Sequence, residues 1–138
     1  MDLTSLKAWE MKEKIINKEI SCKELIEAHI RKIEKEDPEI NAFITLNKDE
    51  ALRESDKIDA KIKNGQDIGL LGGLPIGIKD NIVTKNIKTT CGSKMLENYV
   101  SPFDASVIEK IKYNDGIIIG KTNLDEFAAG DSTETSYF

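Results

Sequence analysis

From Gly65 onward this 138-residue chain changes character, because all nine of its glycines fall in that second half. They punctuate short apolar runs, chiefly Leu74-Pro75-Ile76-Gly77-Ile78 and Gly116-Ile117-Ile118-Ile119-Gly120. Runs that are β-branched and do not alternate with polar residues read as strands covered on both faces. Between them, Asp104 is placed to cap a helix carrying Ala105, Val107, Ile108 and Ile111, which Asn114-Asp115-Gly116 closes. Strand, helix, strand is the βαβ unit of an α/β sheet.

Residues 1–64 read instead as helices. Leu6, Trp9, Ile15 and Ile16 follow a rough helical period after Thr4 or Ser5. Ser21 followed by Glu24 is a capping-box pattern, and Cys22, Leu25, Ile26, His29, Ile30 and Ile33 then form one apolar stripe that Asp37-Pro38 is expected to terminate. A third helix is expected from near Asn47, capped by that side chain with Glu50 at the third position. It should bury Ala51, Leu52, Ile58 and Ile62 and end at Asn64-Gly65. The intervening Asn41 to Leu46 reads as a short strand. At this length both parts belong to one domain, 1–64 mainly helical and 65–138 the start of an α/β core.

Charge narrows the function classes. Charged residues make up 33% of the chain, its formal net charge is -5, and Arg31 and Arg53 are the only arginines among 20 basic residues. Such a surface lacks the footprint of a DNA- or RNA-binding module. Cys22 and Cys91 are far apart and show no metal-ligand spacing, the N-terminus carries no leader pattern, and a reducing cytoplasm is expected. No window approaches the roughly 18 apolar residues of a membrane span.

Little of the conventional chemistry is present. His29, the only histidine, sits in an apolar stripe and reads as a packing residue. Gly120-Lys121-Thr122 resembles the end of a P-loop, but the earlier glycine position is Asp115 and isoleucines fill the loop, so a strand ending in a turn is the better reading. Lys79 is different. It closes the run Leu74 to Ile78 and precedes Asp80-Asn81, and a lysine there is either ion-paired, with Asp80 the obvious partner, or tuned by the surrounding isoleucines to act as a base.

The wording Gly72-Gly73-Leu74-Pro75-Ile76-Gly77-Ile78-Lys79-Asp80-Asn81, Thr90-Cys91-Gly92-Ser93, Gly120-Lys121-Thr122-Asn123-Leu124-Asp125-Glu126-Phe127 and Ser132-Thr133-Glu134-Thr135-Ser136-Tyr137-Phe138 resembles the amidase signature family along the whole chain. Within it, the wording is nearest to the glutamine-hydrolysing subunits of glutamyl-tRNA(Gln) amidotransferases. The resemblance implies a Ser-cis-Ser-Lys triad with Lys79 as the base, acting through the cis serine on the nucleophile. It places Asp80, Asn81, Thr122, Asn123, Gly130 and Ser132 near that site in positioning roles. It implies a mixed sheet flanked by helices, of which these residues supply only the first part. It further implies a heterotrimer with subunits B and C. In that assembly glutamine is the ammonia source, the partner chiefly handles Glu-tRNA(Gln), and ATP and Mg belong to the partner, leaving no cofactor in this chain.

Two departures from the family pattern stand out. Where the family often has methionine and a small residue flanking the loop glycine, this chain reads Ala128-Ala129-Gly130-Asp131-Ser132, which puts an acid near the substrate pocket that the resemblance implies. Nothing in 1–138 matches the glycine- and serine-rich segment that carries the two triad serines, and Ser93, Ser132 and Ser136 lack its surroundings. The expectation is therefore a chain inactive alone, with strand edges and apolar faces lacking partners. The alternatives are a fragment of a general small-amide amidase or a non-catalytic binding remnant.

Overall fold

A computed structural model describes residues 2–138. Its elements are α1 (Ala8–Ile16), α2 (Cys22–Ile40), β1 (Phe43–Leu46), α3 (Lys48–Lys63), β2 (Pro75–Lys79), α4 (Ser106–Tyr113) and β3 (Ile117–Thr122), with short 3-10 turns at Leu3–Ser5, Lys94–Leu96 and Glu126–Ala128. The three strands form one mixed sheet in the order β1-β3-β2, with β1 antiparallel and β2 parallel to β3. No helix among the described residues is long and apolar enough to cross a membrane.

Alternation along β3 divides the core. Ile117 and Ile119 join Met11, Ile15, Leu25, Ile26, Ile30, Ala51 and Ile58 from α1, α2 and α3, while Ile118 joins Ile78 and Ile108 on the α4 side. Helices thus cover both faces of β3, whose first five residues are buried, as the unbroken isoleucine run predicts. The β2 run departs from that expectation: it is an edge strand in which only Ile78 is buried. A register shift between Ile76 and Gly77 sets Gly77 opposite Gly120. Gly120 has to lack a side chain, because a Cβ there would lie 2.6 Å from the Thr45 carbonyl oxygen and 2.8 Å from the Phe43 ring.

Several helix boundaries follow the sequence and several do not. The Ser21 hydroxyl accepts from the Glu24 N–H and the Glu24 carboxylate accepts from the Ser21 N–H, which completes the capping box. Asn64 and Gly65, at φ +69°, end α3 as expected. Pro38, however, lies inside α2. It falls in the last turn, where the helix stops at Asn41 in the left-handed region and the Asp37 carboxylate accepts the Ala42 and Phe43 N–H groups at 2.7 and 3.2 Å. Asn47 stands at the head of α3 without capping it, since its amide donates to the Ile118 carbonyl at 3.1 Å and anchors the helix to β3. Asp104 likewise does not cap α4; it accepts the Lys85 N–H at 2.7 Å and the Lys112 ammonium at 2.6 Å. In α1 the inward face is Met11 and Ile15, leaving Trp9 and Ile16 exposed. His29 packs as expected, with Nδ1 2.9 Å from the Leu25 carbonyl.

Candidate functional site

Parallel strands β2 and β3 end side by side, Lys79 in register with Thr122, and the segments leaving them gather at this edge. The carboxyl ends of parallel strands are where α/β sheets most often place their chemistry. Lys79 is exposed here, and no carboxylate among the described residues lies within 4.0 Å of its ammonium. The ion pair with Asp80 is thereby corrected, and so are the isoleucine surroundings expected for the amine. Ile76 and Ile78 pack toward α4 instead of surrounding the amine, and Asp80 pairs with a different lysine.

That other lysine is Lys121. Its side chain and that of Asp80 are both 0% exposed, and Nζ lies 3.1 Å from Asp80 Oδ1. The same ammonium donates to Thr89 Oγ1 at 2.9 Å and to the Lys88 carbonyl at 3.2 Å, and its contact with Asp80 Oδ1 is an ion pair without hydrogen-bond geometry. Burial pulls the Lys121 pKa below the ordinary lysine value, and the Asp80 charge opposes that pull. Asp80 Oδ2 accepts the N–H and the hydroxyl of Thr90 at 2.9 and 2.5 Å, and its backbone carbonyl receives the Cys91 N–H at 3.0 Å. Sequence reasoning misses this pair because Gly120-Lys121-Thr122 reads as a strand ending in a turn, with no partner assigned to its lysine. A lysine two residues past a buried isoleucine run, with an acid at the end of a neighbouring strand, is the signal that could have found it.

The turn after Thr90 passes the order on. The Cys91 and Gly92 carbonyls accept the N–H groups of Phe127 and Tyr137, both at 2.8 Å, and the Ser93 hydroxyl donates to Glu126 at 2.6 Å. Burial pushes the Cys91 thiol pKa up, so it is a poor nucleophile. Beyond β3, Asp125 is buried and holds its own loop: its carboxylate accepts the N–H groups of Ser132, Thr133 and Thr135 at 2.9, 2.8 and 3.0 Å and the Thr135 hydroxyl at 2.9 Å. Those backbone bonds hold the Asp125 pKa down at about 2. Phe127, Ala128 and Thr133 all adopt the left-handed region, a cost the Asp125 bonds offset.

The other sequence-nominated residues sort by what they touch. Thr122 lends its carbonyl to the Asp80 N–H at 3.0 Å. Asn123 is a clamp, donating to the Asn41 and Phe138 carbonyls and accepting from Ser136 at 2.6 Å. Gly130 passes so close to Asp125 that a Cβ would lie 2.6 Å from its carboxylate. Ser132 and Asn81 are exposed; the Ser132 hydroxyl donates only to Glu134, at 3.2 Å. A cavity of about 630 Å³ opens at the opposite end of β3 among Asn47, Glu50, Arg53, Lys85 and Ile117 and contains none of these residues. Among the described residues no three His, Cys, Asp or Glu side chains come together as a metal site.

Residues 24–138 match the family model described as Amidase. Over all 138 residues the chain is 49% identical to the A subunit of the glutamyl-tRNA(Gln) amidotransferase of Clostridium botulinum, strain Alaska E43, and it spans 28% of that relative's length. It is 48% identical to the A subunit numbered 1 of Clostridium acetobutylicum, again spanning 28%. Among solved structures, the corresponding A subunit from Thermotoga maritima superposes with a TM-score of 0.75 at 34% identity, over 100% of this chain and 27% of that one. The native peptide amidase of Stenotrophomonas maltophilia superposes with a TM-score of 0.85 at 29% identity, over 91% of this chain and 26% of that one. The segment that carries Lys79, the buried Asp80–Lys121 pair and the Asp125 loop lies wholly inside the matched region, and the chain belongs to the amidase family.

Proposed function

We propose that this chain is the first portion of the glutamine-hydrolysing A subunit of a glutamyl-tRNA(Gln) amidotransferase, and that Lys79 is its catalytic base. The observation that carries the reading is the accessible amine of Lys79 at the carboxyl end of a parallel strand pair, on a backbone tied down by buried polar groups. Identity of 49% over the full chain to such a protein favours that branch of the family.

In this reading the side-chain amide of glutamine is attacked by a serine supplied by the remaining part of the polypeptide. The proton leaving that serine passes through a second serine to the Lys79 amine, which must be neutral to receive it. Lys79 returns the proton to the departing nitrogen, ammonia leaves, and water then hydrolyses the acyl-enzyme to glutamate. Lys121 is unsuited to that work, since it is fully buried, hydrogen-bonded to Thr89 and the Lys88 carbonyl and ion-paired with Asp80. Subunits B and C complete the complex, and ATP and Mg act in the partner that activates Glu-tRNA(Gln). Asn123 and Asp125 shape the loops beside Lys79, and Asp131 is an exposed acid on that rim.

The test is to read the gene beyond the Phe138 codon, express the continuous polypeptide and assay ammonia release from glutamine. Lys79→Ala is expected to reduce turnover by at least about a hundredfold; retained activity overturns the role of Lys79. A protein that releases ammonia from small amides but not from glutamine, and that does not co-purify with B and C, belongs instead with the general amidases. The structural likeness to a peptide amidase makes that the second reading.

A further inference from the structure

Lys79 and Asp80 are consecutive in the chain where β2 ends, so their side chains leave on opposite faces, one exposed and one fully buried. The carboxylate has work of its own there, because Oδ2 takes both the N–H and the hydroxyl of Thr90 and so fixes the turn from which Cys91, Gly92 and Ser93 hold the 124–137 loop. It also carries a cost. A negative charge one residue from an amine favours the protonated amine, whereas a base has to give its proton up before each turnover.

Resting on the function proposed above, we propose that Lys121 is the counter-ion that cancels the Asp80 charge behind Lys79. The strand end can then keep the carboxylate that ties the 90–93 turn while Lys79 stays free to exchange its proton. Lys121 is a positioning residue: it is 0% exposed, and its partners are Asp80 Oδ1, Thr89 Oγ1 and the Lys88 carbonyl, so it meets no substrate. Asp80 Oδ1 accepts no hydrogen bond among the described residues, and the Lys121 ammonium 3.1 Å away is the one cation paired with it there. The remaining titratable groups around the pair do not substitute for it. Cys91 on the adjoining turn is a thiol, Glu126 is an acid held by Ser93, and Asp125 is a carboxylate that the amides of its own loop keep ionised, so none of them supplies a positive charge.

The discriminating experiment follows the protonation of Lys79 by NMR of isotopically labelled lysine side chains in the full-length protein, with Lys79→Ala identifying the signal. Lys121→Met, which leaves Asp80 uncompensated, is expected to move the Lys79 titration midpoint up by about half a unit to one unit. Asp80→Asn, which leaves the Lys121 charge uncompensated, is expected to move it down, and the double variant to return it to the wild-type midpoint. If Lys121→Met does not fold, the downward shift in Asp80→Asn and its cancellation in the double variant still decide the matter. Midpoints that stay put in every folded variant overturn the proposal and leave the pair a purely structural element. This readout needs no turnover, so a wild-type protein that titrates as expected but releases no ammonia overturns the function while leaving the counter-ion standing.

Discussion

The two halves of this molecule are built on different principles. Before Gly65 the buried residues are Met11, Ile15, Cys22, Leu25, Ile26, Ile30, Ala51 and Ile58, with Ser55 the one polar residue among those described. After Gly65 the isoleucines of β2, α4 and β3 share the interior with Asp80, Thr84, Thr89, Thr90, Ser93, Ser101, Lys121 and Asp125. Apolar burial is non-directional and accepts many arrangements of similar volume. A buried polar network has to meet distance and angle at every member. The helical layer is thus a support that tolerates variation, and the strand-end region is a framework whose geometry is specified atom by atom.

That contrast can be broken or sharpened by substitution. The largest effect is expected for Lys121→Met or Asp80→Asn alone, each leaving a buried charge uncompensated and costing about 3–5 kcal/mol in urea unfolding. The double variant should recover most of the loss, and a double variant as unstable as the singles would contradict the picture of one coupled pair. Ile26→Ala, fully buried in the helical layer, is expected to cost about 2–5 kcal/mol without changing the 124–137 loop. Amide exchange in that loop should stay at its wild-type rate.

Acid tests the Asp125 loop by itself. Its carboxyl is held at about 2, below the 3.8 of an ordinary aspartate, by N–H donors that want the charged form. A lowered folded pKa contributes stability that is fully present above about pH 4 and is lost as the pH falls through about 2. Amide exchange at Ser132, Thr133 and Thr135 should therefore accelerate across that window, and Asp125→Asn should remove the pH dependence. Smaller again is Ser21→Ala, which removes half of a capping box and is expected to cost about 1 kcal/mol. Least of all is Lys23→Ala, whose partner Asp56 sits at the surface; there the change should stay within about 1 kcal/mol.

Legibility in the sequence follows the same division. The Ser21 and Glu24 box, the β3 isoleucine run and the Asn64-Gly65 stop are local signals, and each is where the sequence puts it. What escapes are side chains whose partners lie far away along the chain. Asn47 and Asp104 have the chemistry of caps but spend it on β3 and on Lys85 and Lys112, because those donors and acceptors are brought to them by the tertiary fold. Trp9 and Ile16 fit a helical period, but the face that meets Gly73 and α2 is the one bearing Ile15. Lys79 stands at the strand end the sequence assigns it but in different surroundings, and the buried lysine is Lys121, opposite Ile78 on β3.

The strand order has a consequence in time. Among the described residues both β1 and β2 pair only with β3, which is the last of the three to be synthesised. A growing chain therefore carries two finished strands that have nothing to bond to until Ile117–Thr122 emerges. Over the same interval α1, α2 and α3 lack Ile117 and Ile119, the residues that close their apolar face. Such long-range pairings close slowly, and unpaired strands are open to the wrong partner while they wait. While β3 is still withheld the two strands and the helical face stay open to other partners, and the emergence of Ile117–Thr122 from the ribosome supplies the partner that joins helices and sheet.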